Sequence, residues 1–369
     1  MKRYGISVLI LFFLTATIAP AQDAGRDILR AQSGGSPRNV IILIAEGLGL
    51  TQVSAGIYTD SLPQAIERFP FTGLQKALSK DALIANAGAE ATAISCGIAT
   101  SQGLIGLNEQ KKPVKNIFEE AKNRGFSTGI ISTDYLTAAA PAAFIAHRAA
   151  KAGPEAIAEA YLSGHIDFFI GAGRKYFEER SSDARNLITE LEAKGFVTSN
   201  YQPEEISNTT YDFRKDFAAF FEIQGILKDR ENFILPATRL AGVYLKNHSR
   251  RNGFILVIHY SQLFESGLKN DSENLLLDLK AFDKITNAAL DFASGDGETL
   301  VVATGTPEAG GAAINPGSEM GRLSMRYGTK GPTGAMIPVF AYGPGAFLFT
   351  GVYDNTVIHR KISQALGWQ

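Results

Sequence analysis

The sequence predicts a doubly wound α/β domain, a mostly parallel sheet with helices on both faces, and three observations carry that reading. Short runs of uninterrupted apolar residues recur along the chain, as strands buried on both faces require. Between them lie longer segments with apolar residues three and four apart, the mark of helices packed on a sheet. The chain has 369 residues, 45% of them apolar, enough for the core of one large domain.

Taken in order, Lys2 and Arg3 precede an apolar run over residues 6–18 and the small-residue sequence Ala19-Pro20-Ala21. That order reads as a secretory leader, residues 1–21, cleaved after Ala21. The run is shorter than the roughly 20 apolar residues that span a bilayer, so no transmembrane segment is expected after cleavage and the location is periplasmic or secreted. Residues 22–37 are polar and Gly/Ser-rich, as in a flexible linker, and residues 38–369 are expected to form a single domain. The first strand falls at 39–45, and similar apolar runs lie at 127–132, 166–170, 254–258, 299–303 and 337–341. Helical spacing marks 114–123, 154–162, 184–194, 237–246, 272–292 and 356–366. Residues 174–236 mix charges with a strand-like run at 218–223 and read as a peripheral insertion. Cys96, the single cysteine, has no partner for an internal disulfide and is expected as a small buried side chain. The net charge of −1 is spread along the chain, which argues against nucleic acid as a partner.

In doubly wound sheets ligands bind beyond the carboxyl ends of the strands, so the residues following each strand hold the functional information. The segments 39–53, 91–97, 141–147, 171–177, 299–304 and 338–346 resemble, in order, the motif segments of the alkaline phosphatases. The match runs from Asn39 to the C-terminus. The resemblance implies that family's sheet and, since the fold is often dimeric there, a homodimer. It also implies two zinc ions, a magnesium ion, a serine nucleophile and a phosphate-gripping arginine. Paired metals would stabilise attacking and leaving oxygens while a guanidinium meets the phosphoryl charge.

The residues at those positions differ. Where the resemblance places the nucleophile and its neighbouring aspartate stand Ala87 and Asn86, and a methyl group cannot attack phosphorus. Thr92 and Ser95 lie further along the same helix and read as packing hydroxyls. The metal-bridging aspartate is Glu46, whose extra methylene shifts the oxygens by more than the ~0.2 Å tolerance of a defined site. It reads equally as a residual cation ligand or as a solvated or capping carboxylate. Other ligand positions hold Ala138, Ala140, Phe264, Leu268, Thr306, Pro307 and Pro332, while Glu308 still matches. The arginine position holds Lys151, which keeps charge without the bidentate fork and reads as a solvated helix-end cation or a weakened phosphate contact. His259 replaces a glutamate ligand and reads as a hydrogen-bonded structural residue.

No zinc or magnesium is therefore expected, with Glu46 and His259 as the residual metal candidates. The sequence predicts an exported, catalytically inactive member of that family with a binding role, its partner unspecified. The alternative is an enzyme, a phosphate-ester hydrolase or one with other chemistry, rebuilt around Glu46, Lys151 and His259 with Glu308. An apolar cleft around Phe264, Leu268 and Pro332 would favour the first, and a Glu46–His259 pair the second.

Overall fold

The computed structural model describes residues 35–60, 64–249 and 252–368. The expected leader, its cleavage after Ala21 and most of the 22–37 linker lie outside the described residues.

Ten strands form one sheet: β1 (Asn39–Gly47), β2 (Phe71–Lys76), β3 (Ser127–Tyr135), β4 (Phe168–Ala172), β5 (Phe196–Asn200), β6 (Asp216–Phe221), β7 (Phe254–Tyr260), β8 (Thr299–Glu308), β9 (Ile337–Tyr342) and β10 (Gly351–Asp354). Their spatial order is β10-β2-β9-β8-β1-β7-β3-β4-β6-β5. Only β9 runs antiparallel to its neighbours. Strand β1 lies at the centre, Ile44 opposite Thr304 of β8 on one side and His259 of β7 on the other. Six longer helices are α1 (Leu50–Thr59), α2 (Ala87–Cys96), α3 (Leu235–His248), α4 (Gln262–Lys269), α5 (Ser272–Asp296) and α6 (Val357–Ala365).

The alternation of side chains along each strand divides the core. Val40, Ile42 and Ile44 join a cluster under α2 and α6, and Ile41, Leu43 and Ala45 join another under α1, α3, α4 and α5. Each large side chain removed from water in these layers contributes roughly 1.5–3 kcal/mol. Helix α2 begins where Asn86 Oδ1 accepts from the Ala89 amide at 2.9 Å, and ends at Gly97 in the left-handed region, φ 69°. Gly47 closes β1 at φ 89°, and a Cβ there would lie 2.7 Å from the Phe264 backbone, so glycine lets α4 pack against the strand end.

The long apolar runs all form strands, with 166–170 shifted to Phe168–Ala172. Strands β2, β5 and β10 lack a comparable run because each is partly exposed and becomes a strand through its pairing partner. Residues 174–236, read from the sequence as a peripheral insertion, supply β5 and β6, which form one edge of the sheet. No helix among the described residues is long and apolar enough to cross a membrane. Cys96 is buried, and burial pushes its thiol up to about 12, as an inert packing residue requires.

Candidate functional site

The alternation that buries Ile42 and Ile44 carries Glu46 onto the same sheet face at the carboxyl end of β1. Continuing from Ile255 and Val257, His259 reaches that face on β7; continuing from Leu300 and Val302, Thr306 reaches it on β8. Ser132 follows Ile130 on β3, in register with His259. Four adjacent strands thus end in a polar layer under α2.

Three of these side chains form a chain. Ser132 Oγ lies 3.0 Å from His259 Nδ1, and His259 Nε2 lies 2.7 Å from Glu46 Oε1. Glu46 is a carboxylate and accepts, so His259 Nε2 donates to it, and in the neutral ring Nδ1 then accepts from the Ser132 hydroxyl, whose oxygen also accepts from the Asp134 amide at 3.1 Å. Ser132 is fully buried and His259 1% exposed, whereas the Glu46 side chain is 12% exposed. The open end is therefore the carboxylate. Ser132 orients the imidazole and the imidazole orients Glu46, an arrangement that can hold a cation or accept a proton but offers no accessible hydroxyl nucleophile. Burial pushes the neighbouring Asp134 carboxyl upward, with the Glu46 charge adding to the shift.

The structure thus joins Glu46 and His259, two of the residues singled out from sequence, and leaves the others apart. Lys151 is exposed on the turn Ala150–Ala152, and none of the hydrogen bonds or ion pairs of the described residues ties it to Glu46 or His259. Glu308 is buried and saturated: it accepts from Gln52 Nε2 at 2.5 Å, from the Gly311 and Ala312 amides and from Thr333 Oγ1. It fastens α1 to the loop after β8. Ser95 Oγ donates to the Ala143 carbonyl at 2.7 Å and Thr92 Oγ1 accepts from the Gly106 amide, so both hydroxyls pack α2.

The positions of the implied metal shells are placed as follows. Ala87 opens α2, half-buried, and Ala138 precedes the short helix Ala139–Ala142 that contains Ala140. Phe264 and Leu268 are half-buried on α4, Pro307 is buried at the end of β8, and Pro332 is exposed. None of these side chains carries a donor atom for a metal; of the implied ligand positions only Glu46, His259 and, through its hydroxyl, Thr306 do.

One residue escaped sequence reasoning. Glu90, on α2, is fully buried, and neither carboxylate oxygen has a hydrogen-bond partner. Burial, reinforced by the Glu46 charge, drives its carboxyl well above the usual range. Thr306 Oγ1 is likewise buried without a partner. The available signal was a lone acid among the small residues Ala87-Gly88-Ala89 and Ala91-Thr92-Ala93, too small to leave a charge at a surface when packed on a sheet. At the opposite end of the sheet, Asp167, Asp216 and His248 form a second cluster, with a ligating atom from each within 4.8 Å of the others.

The profile of the family described as Alkaline phosphatase matches residues 37–324. Alkaline phosphatase 4 of Bacillus subtilis (strain 168) is 27% identical over 86% of this chain and 72% of its own length. Alkaline phosphatase 3 of the same strain is 25% identical over 89% of each. The structure of alkaline phosphatase from the Antarctic bacterium TAB5 superposes with TM-score 0.83 and 30% identity, over 91% of this chain and 100% of that one.

Proposed function

The chain belongs to the alkaline phosphatase family, and from that premise we propose that it is an exported member kept for binding rather than for metal-dependent phosphoryl transfer. The observation that carries the proposal is the head of α2, where a methyl group, Ala87, occupies the place that the resemblance gives to the nucleophile. Its surroundings support the same conclusion. The zinc and magnesium of the family do not fit a donor set in which Phe264, Leu268, Pro307, Pro332, Ala138 and Ala140 stand at ligand positions, because none of those side chains can coordinate a cation. Export is supported by the leader-like order of residues 1–21, and a homodimer by the family resemblance alone.

A second reading has its own observation. The 2.7 Å Glu46–His259 contact at the carboxyl ends of central strands is where acid–base chemistry would be housed, and the named relatives are alkaline phosphatases. Both readings meet in one experiment. The mature chain is loaded with zinc and magnesium, and bound zinc is measured together with hydrolysis of p-nitrophenyl phosphate. The expected result is no stoichiometric zinc and no turnover above buffer. Turnover that disappears in Glu46→Ala would sink the binding proposal and establish a rebuilt hydrolase.

A further inference from the structure

We infer that the cavity beyond the carboxyl ends of β4, β5 and β6 is a binding site for an acidic sugar, a pyranose ring that carries a carboxylate. The cavity has a volume of about 400 Å3. Arg174 enters it from just past β4, Asn200 from the end of β5 and Phe220 from the end of β6, and the short helix Ile223–Lys228 closes one side. Strand ends are where doubly wound sheets bind ligands. In the sheet order β7 and β3 stand between these strands and β1, so the cavity is separate from the layer around Glu46. Every residue that lines it falls within 174–236, the segment read from the sequence as an insertion.

The lining chemistry points to that ligand. Arg174 Nε donates to Glu178 Oε1 at 2.8 Å and Nη1 to Asn200 Oδ1 at 3.4 Å, while the guanidinium lies 5.7 Å over the Phe220 ring. These contacts hold the fork in one place and leave Nη2 to receive a carboxylate. Asn200 spends its oxygen on Arg174 and keeps its Nδ2 as a donor. Among the described residues, no hydrogen bond or ion pair engages the side chains of Gln202, Glu222, Gln224 or Lys228. The rim therefore offers donors and acceptors that hydroxyl groups use in both directions. The floor is aromatic: Tyr201, Phe221 and Phe233 pack edge to face, with ring centroids 5.2 to 5.8 Å apart. The Tyr201 hydroxyl is spent on the Phe233 carbonyl, so this floor meets the C–H face of a ring rather than its hydroxyls. With Glu178 already paired to Arg174 and Glu222 on the rim, the site suits a single negative charge among hydroxyls better than a doubly charged phosphate.

The site stands whether or not the cleft at Glu46 is catalytic. Its test is calorimetric titration of the mature chain with sodium galacturonate, with galactose as the neutral counterpart and trigalacturonate to separate a free sugar from a unit of a polymer. One galacturonate per chain is expected, with a dissociation constant of about 1 mM, and galactose should bind roughly ten-fold more weakly. Arg174→Lys, which keeps the charge without the fork, and Asn200→Ala should each weaken galacturonate about ten-fold. Lys175→Ala, a neighbour that does not line the cavity, should leave the titration unchanged. Thermal midpoints without sugar establish that each variant is folded. Absence of galacturonate binding, equal binding of galactose, binding undiminished in Arg174→Lys, or displacement by an equal concentration of inorganic phosphate overturns the site. Tighter binding of trigalacturonate assigns the ligand to a polymer, and binding of the monomer alone assigns it to a free sugar.

Discussion

At the amino ends of the strands, Asp167, Asp216, His248 and Lys122 face one another; at the carboxyl ends, Glu46, Glu90, Asp134 and His259 do so across the polar layer. The first group is saturated. Lys122 and the Thr128 amide engage the two Asp167 oxygens, and His248 Nε2 lies 3.7 Å from Asp167 and 3.4 Å from Asp216 while its Nδ1 bonds the Phe213 carbonyl. The second is not, since Glu90 and Thr306 keep unpartnered oxygens in the interior. Similar residue types therefore meet different fates at opposite ends: the first cluster satisfies its valences among its own members and ties the sheet together, while the second keeps buried polar atoms without a hydrogen-bond partner.

The largest effect that would break this contrast is at the saturated end. Asp167→Ala strips Lys122 and His248 of their shared partner and leaves the Thr128 amide unpaired, an expected loss of about 3 kcal/mol by urea denaturation. A loss below about 1 kcal/mol would mean that the network is ornamental.

Next comes the pH dependence of the same cluster. Burial, aided by the Asp167 charge, raises the Asp216 carboxyl to about 6, with His248 and Lys122 opposing. A raised carboxyl adds stability at low pH and loses it as pH climbs from about 4 through about 6. His248, raised above its ordinary value mainly by its bond to Asp167, acts in the same direction at higher pH, its contribution fading as pH passes its folded value. Asp216→Asn should flatten the lower part of this slope and be more stable than the native chain above pH 6, by at most about 2 kcal/mol. Thermal midpoints at pH 4.5 and 7.5 give the comparison, and parallel curves for the two proteins would contradict it.

The smallest effect is at the unsaturated end. Glu90→Met replaces a buried, unpartnered carboxyl by an apolar side chain of similar length and should raise stability by about 1 kcal/mol. Destabilisation of that size instead would show that Glu90 has a partner, and the two ends would no longer differ.

Much of this was legible before the structure. The parallel strands declared themselves because a strand covered on both faces must be apolar throughout, as residues 39–45 and 254–258 are. The edge strands β2, β5 and β10 did not, since half their surface meets solvent and their sequences carry no run. Of the candidate site, Glu46 and His259 were visible as polar residues at strand ends, but their contact was not, while Lys151 stands exposed on its own turn and Glu308 is taken up by its own hydrogen bonds. Glu90 was hidden by position: a helix buried from Gly88 to Cys96 has no polar face against which a buried charge could stand out.

By itself the sequence determined which segments become buried strands and helices, and which atoms are present at the strand ends: a methyl at residue 87, a pyrrolidine at 332, a carboxylate at 46. Only the tertiary structure decided which of those atoms meet. Ser132 and His259 are 127 residues apart and Glu46 and His259 are 213 apart, yet strand order and register bring them within hydrogen-bond distance. Local pattern reports whether a residue is inside or outside, because burial follows the period of its own helix or strand. Which partner it finds depends on the pairing of distant strands, and that pairing is settled by the packing of the whole core.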